Sequence, residues 1–220
     1  MLRGILKLIY RRPAVNGLDH VVQTEPAVFI SNHLDTYGPV ILELYFPLPF
    51  RPWVHANLVS PELCREHLDM NFSRKILKLK PPLSSWLAAT IAPICIGIMK
   101  AVDAIPVYRG QMKVRDTLNI SVDSLIKGEN IVIFPENPTQ KYSEFLDDFH
   151  RGFVHLARQY SKKSGKQLRF YPVYVNKVAR MIEIGQSVIF DSTKNFHLER
   201  DHIVHYLRDS INEIAKKIGR

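Results

Sequence analysis

Apolar residues follow two rhythms along the chain. Ala27–Ser31 is an unbroken apolar run of strand length, and residues 53–56, flanked by Pro52, form a second; such runs predict strands of a buried sheet. Residues 104–108 and 130–134 predict two further strands. Ahead of the latter, Leu118, Val122, Leu125 and Ile126 recur at helical spacing, and the pattern stops at Lys127-Gly128, a usual helix end. Residues 152–160 predict a helix with Phe153, Leu156 and Ala157 on one side, and residues 169–175 and 181–190 predict strands near the end of the sheet. From about Leu198 onward, Ile203, Leu207, Ile211, Ile214 and Ile218 recur at steps of three and four, the mark of an amphipathic helix lying on the sheet. There is no internal repeat, low-complexity tract or linker. The alternation predicts one α/β domain over residues 1–220, a layered mixed sheet flanked by helices.

Two stretches fall outside this alternation. Around residues 84–100 the chain is apolar, and residues 86–99 carry no charge, but that run falls short of the ~20 residues needed to span a bilayer and Pro93 interrupts it. It reads as a hairpin of helices, either buried in the core or dipping into a membrane interface. The first 20 residues are basic and amphipathic without a small-residue cleavage site, so they do not read as a signal peptide.

Charge narrows the partners. Thirty Lys and Arg against 21 Asp and Glu give a net charge of +9. Residues 151–180 hold Arg151, Arg158, Lys162, Lys163, Lys166, Arg169, Lys177 and Arg180 and no acid. Such a block attracts phosphate, anionic lipid or nucleic acid, or it is a solvated face. Aromatic residues do not interleave with these cations in a stacking pattern, which argues against nucleic acid. Cys64 and Cys95 form no disulfide framework or metal pattern and suit a reducing cytosol, and the scattered histidines suggest no metal site.

The candidate chemistry sits at strand ends. Asn32-His33 follows the first apolar run, Arg109 follows Ile105-Pro106-Val107-Tyr108, and Glu136 follows Phe134-Pro135. A His, an Arg and a Glu in that order describe one polar site assembled at sheet edges, suited to chemistry on a phosphorylated substrate.

These residues resemble the glycerolipid acyltransferase family, the PlsC-like group that includes lysophosphatidate acyltransferase, over about residues 27–190. Asn32-His33 is similar to the first family motif, Ile105-Pro106-Val107-Tyr108-Arg109 to the second, Phe134-Pro135-Glu136 to the third and Tyr171-Pro172-Val173 to the fourth. Between the last two, the run from Phe149 through Gly152 to Ala157 is similar to the family's Phe-x-x-Gly-x-x-x-x-Ala helix entry. The resemblance implies a glycerol-3-phosphate acyltransferase-like fold and transfer of a fatty acyl group to a glycerol hydroxyl of a lysophospholipid such as lysophosphatidate. The donor would be an acyl thioester, acyl-CoA or acyl-carrier protein, with no other cofactor. His33 would be the base for the acceptor hydroxyl, an imidazole being suited to that task near neutral pH. Asn32 would stand beside it at the substrate, Arg109 would hold the acceptor phosphate through its fixed fork of donors, and Glu136 would hold the acceptor or order the loop.

The departures from the family are specific. Five residues after His33, where the family has Asp, stands Gly38, or Tyr37 if the following Gly-Pro is the anchor; the nearest carboxylate is Asp35. Asp35 has two open roles, orienting the His33 ring as the third member of a triad does, or capping the helix that starts near Thr36. Glu136 is followed by Asn137-Pro138-Thr139-Gln140 instead of Gly-Thr-Arg, so Lys141 would supply the phosphate-binding charge. Retention of His33 favours a working enzyme, peripheral on the inner, cytosolic face of an anionic membrane. The missing Asp favours an inactive relative that binds lipid or phosphate there. The working enzyme is the expectation.

Overall fold

The computed structural model describes residues 2–108, 111–136, 146 and 149–219. In chain order the elements are α1 (Leu2–Ile9), β1 (Ala14–Asn16), β2 (Ala27–Ser31), α2 (Tyr37–Tyr45), β3 (Phe50–His55), α3 (Pro61–Leu68), α4 (Leu83–Ala101), β4 (Ile105–Val107), α5 (Gln111–Ile126), β5 (Asn130–Ile133), α6 (His155–Ser164), β6 (Arg169–Asn176), β7 (Met181–Ile184), β8 (Val188–Ile189) and α7 (Phe196–Ile218). This is the mixed α/β class that the alternation predicts. The chain gathers into two compact units, Met1–Phe50 with Ser121–Arg220, and Arg51–Ile120.

In the first unit the sheet runs β1-β7-β6-β2-β5, with β8 also on β6. β2 lies parallel to both β5 and β6, whereas β6 pairs antiparallel with β7 and β8. Neighbours on both edges explain why every residue of β2 is buried and why its sequence reads as a continuous apolar run. Phe29 stacks on Tyr171 at 5.4 Å and meets the Phe46 edge at 5.0 Å, at the centre of a core that includes Ile41, Leu42, Val132 and Val173. Helix α7 packs on β6 through Ile203, Leu207 and Ile211, all buried, and its Asn195 side chain caps the first turn by accepting from the His197 and Leu198 amides.

The strand expected over residues 181–190 is two strands, broken at residues 185–187. The reason is local. Gly185 donates to the Pro172 carbonyl at 2.8 Å, and a Cβ there would stand 2.8 Å from the Pro172 ring, so the chain turns aside and rejoins β6 at Val188. The helix expected over residues 152–160 begins with a 3₁₀ turn at Arg151–Val154 and ends at Gly165, which adopts the left-handed φ of 70°.

In the second unit β3 and β4 pair in parallel, Trp53 opposite Ile105, and α3 packs on α4. Asp69, in the turn of π-helix after α3, accepts from Arg74 at 2.6 Å and Ser85 at 3.0 Å and so fastens that turn to the start of α4. The hairpin expected around Pro93 is instead one helix of 19 residues with Pro93 inside it. Pro93 sits on the exposed side, where its ring displaces no packed neighbour. Only Ser84, Ala88 and Ala92 are buried along α4, while Leu83, Trp86 and Ile94 face outward, so the buried-core alternative does not hold. Helix α4 is long and apolar enough to cross a membrane, and 17% of its apolar window is buried. Cys64 and Cys95, distant in the sequence, are free thiols that meet across α3 and α4; burial and the Cys64 neighbour push the Cys95 thiol up to about 11.

Candidate active site

Parallel pairing assembles the site within the first unit. Ile30 lies opposite Ile133 and Ser31 opposite Val173. Counting three residues past the first pair reaches His33 and Glu136, and two past the second reaches His33 and Val175. The carboxyl ends of β2, β5 and β6 therefore come level, where open α/β sheets place their ligand crevices.

Asn32 is fully buried, and its amide imitates a peptide: Nδ2 donates to the Val175 carbonyl at 2.9 Å, and Oδ1 accepts from the Val175 amide at 2.8 Å. The side chain thus continues the β2–β6 ladder after the backbone of β2 has left it. His33 follows at once. Its amide donates to Glu136 Oε1 at 2.5 Å, and its ring meets the Phe134 edge with centroids 5.1 Å apart. Burial lowers the His33 pKa from the usual 6.5, opposed by a hydrogen bond that the ring donates to the Asp35 backbone and by the Asp35 carboxylate charge. The ring is therefore neutral at physiological pH and able to accept a proton.

The loop that carries His33 is tight and left-handed. Leu34 and Asp35 have φ of 44° and 56°, a conformation that non-glycine residues adopt only when their surroundings impose it. Two backbone bonds hold it, Tyr37 N–H to the Leu34 carbonyl and Gly38 N–H to the His33 carbonyl, both at 3.1 Å. A Cβ on Gly38 would stand 2.5 Å from the His33 oxygen and 2.9 Å from the Asn32 oxygen. This backbone cannot accept the family's Asp at position 38. Thr36 occupies the N-cap of α2 without a capping bond from its own side chain, and the Asp35 backbone and charge both act on His33.

Glu136 forms an isolated antiparallel bridge with Phe149. Burial pushes its carboxyl up to about 7, the His33 N–H opposes this and the Asp35 charge adds to it. Between its ordinary 4.5 and about 7 the folded chain keeps a proton that the unfolded chain has released. The stabilisation from this group is thus present at the acid end and lost as pH rises through that window. His33 has the opposite sign, its lowered pKa penalising the folded state below 6.5. Glu136→Gln removes only the first contribution, so the melting temperature of the variant should gain on wild type as pH rises from 5 to 7.5. A constant difference across that range would mean that Glu136 titrates as an ordinary carboxylate.

Arg109 and Lys141 lie outside the described residues. Several cations of the basic block of residues 151–180 are engaged within the fold. Arg151 pairs with Asp201, Lys163 with Asp123 and Arg169 with Glu25, whereas Arg158 lies over Phe196 and Lys177 over Tyr37. Among the described residues no group of His, Cys, Asp and Glu could hold a metal ion. Tyr37 opens α2 four residues past His33.

A histidine and a glutamate at the carboxyl ends of two parallel strands place a polar site where α/β enzymes carry theirs. The family model for Acyltransferase matches residues 65–176, about half of the chain, and the chain belongs to that family. The matched region takes in Glu136 and Tyr171-Pro172-Val173 and leaves Asn32-His33 outside it. Among solved structures, the chain is similar to the 1-acyl-sn-glycerophosphate (LPA) acyltransferase PlsC from Thermotoga maritima. The TM-score is 0.59 at 12% identity, over 96% of this chain and 76% of that one. The fold is thus PlsC-like. No curated protein matches the chain.

Proposed function

We propose that the protein transfers a fatty acyl group from an acyl thioester to a glycerol hydroxyl of a lysophospholipid, lysophosphatidate being the acceptor that the family resemblance suggests. The observation that carries this reading is the buried, neutral His33 held level with Glu136 at the ends of β2 and β5. His33 takes the proton of the acceptor hydroxyl as its oxygen attacks the thioester carbonyl carbon. The tetrahedral intermediate then collapses, the C–S bond breaks, and the departing thiolate receives the proton from the His33 imidazolium. A thioester is already activated, so no covalent enzyme intermediate is required.

The remaining roles follow from position. Asn32 is a positioning residue, its amide engaged with Val175, and Glu136 holds the His33 backbone. Asp35 orients and polarises the ring in place of the family's Asp. Arg109 and Lys141 take the acceptor phosphate. The working surface is the inner face of an anionic membrane. Supporting this, α1 carries Ile5, Leu8 and Ile9 exposed beside Arg3 and Lys7, and α4 exposes Leu83, Trp86 and Ile94. Each cation near such a leaflet adds about 1 kcal/mol of attraction.

The test is transfer of labelled acyl groups from acyl-CoA and from acyl-carrier protein to lysophosphatidate in mixed micelles. Turnover with either donor is expected. No turnover with both, with adsorption to anionic vesicles retained, would identify a non-catalytic lipid-binding member of the fold instead.

A further inference from the structure

We propose that the turn between β6 and β7 forms an anion clamp, in which Lys177 and Arg180, set against Tyr37, bind the phosphate of the acyl acceptor beside His33. The clamp rests on the reading of the chain as a lysophospholipid acyltransferase and adds to it a phosphate ligand set on the opposite side of β2 from Glu136.

Topology supplies the placement. β6 runs parallel to β2, Val175 is bonded to the Asn32 side chain, and Lys177 follows two residues later. The turn therefore emerges at the level of the His33 loop. Tyr37 opens α2, and its amide is bonded to Leu34, the residue after His33. The Lys177 ammonium lies 5.6 Å from the centre of the Tyr37 ring. The Arg180 guanidinium is near enough to the phenol to counter part of the upward pKa shift that burial imposes on it. Two cations thus stand near one aromatic ring, with the Tyr10 ring 6.0 Å from it.

The turn is also built to hold them. Asn176 Oδ1 accepts from the Ala179 amide at 2.8 Å, and its Nδ2 donates to the Tyr174 hydroxyl at 3.4 Å. The Arg180 carbonyl accepts from the Ala14 amide at 2.9 Å, and Arg180 itself is kept at φ 50°, a costly conformation for arginine. Elsewhere in the basic block, Arg151, Lys163 and Arg169 each have a carboxylate partner. Among the described residues no carboxylate pairs with Lys177 or Arg180, and both are exposed and open to a ligand. A guanidinium and an ammonium near one phenol suit a phosphate monoester, which carries close to two charges and accepts from several donors at once.

The same chemistry occurs in the acceptor headgroup and in the phosphates of acyl-CoA, and kinetics separate the two. In the K177Q/R180Q variant the KM for lysophosphatidate should rise about 10- to 100-fold, the size expected for losing charged hydrogen bonds, with the KM for the thioester unchanged. Binding of glycerol 3-phosphate, measured by calorimetry without turnover, should weaken in parallel, while glycerophosphocholine should bind poorly to both proteins. A rise confined to the KM for acyl-CoA would overturn the acceptor assignment. Unchanged KM values alongside weaker adsorption to anionic vesicles would overturn it too, reducing the turn to a membrane-facing charge. If wild type shows no turnover yet binds glycerol 3-phosphate in a way that depends on Lys177 and Arg180, the clamp stands and the catalytic reading falls. Normal turnover with unchanged acceptor KM does the reverse.

Discussion

His33→Ala should lower acyl transfer by about 10²- to 10⁴-fold, the usual contribution of a positioned general base, and leave the protein folded. The separation between these two effects has a structural basis. His33 is tied into the fold through its backbone, whose N–H bonds to Glu136 and whose carbonyl accepts from Gly38, and alanine keeps both bonds. What is lost is the ring, with its edge contact to Phe134 and its bond to the Asp35 backbone. Added imidazole should restore part of the rate by taking the place of the missing ring as base. The acid limb of the wild-type pH profile should lie below 6.5, in keeping with the lowered pKa of the ring, and should vanish in the variant. A purified His33→Ala protein with unchanged turnover would rule out His33 as the base.

Gly38→Asp, which restores the family's spacing between His and Asp, should impair the protein instead of improving it. Any side chain at this position begins with a Cβ 2.5 Å from the His33 carbonyl oxygen, a backbone atom that cannot rotate out of the way. Either α2 must retreat, breaking the Gly38–His33 hydrogen bond, or the His33 loop must move, pulling on the Asn32–Val175 pair. Overpacking of this kind costs about 1–3 kcal/mol, and the strained hydrogen bonds add to it. For a chain of this size that is a fall in melting temperature of roughly 2–12 °C. Transfer should fall with it. Higher activity in Gly38→Asp would show that the left-handed loop at Leu34 and Asp35 is not the working geometry.

The clash at Gly38 also shows where reading by spacing fails. Counting five residues from His33 finds a missing carboxylate, but it cannot find that the loop reverses through two left-handed residues and brings Asp35 back to the ring. Those φ values are imposed by the closure of α2 onto the end of β2, not by any preference of Leu34 or Asp35. The stretch around Pro93 failed in another way. A proline usually breaks a helix, yet Pro93 lies on an exposed face of α4 where only one hydrogen bond is at stake.

The elements themselves were legible because their causes are local. β2 was visible as an unbroken apolar run, α5 stops just before Gly128 with its φ of 87°, and the buried stripe of α7 followed the isoleucines and Leu207. The types of chemistry were legible as well, since a histidine and a glutamate just after apolar runs stand at strand ends whatever the topology. Only the tertiary structure decided which strand ends meet. His33, Glu136 and Val175 are neighbours because β5 and β6 pair with β2 in parallel and in one register, and a slip of one residue would reverse every side chain and dissolve the site. That register is a property of the packed sheet, set by which faces of three strands can be buried together, and no single segment of the chain contains it.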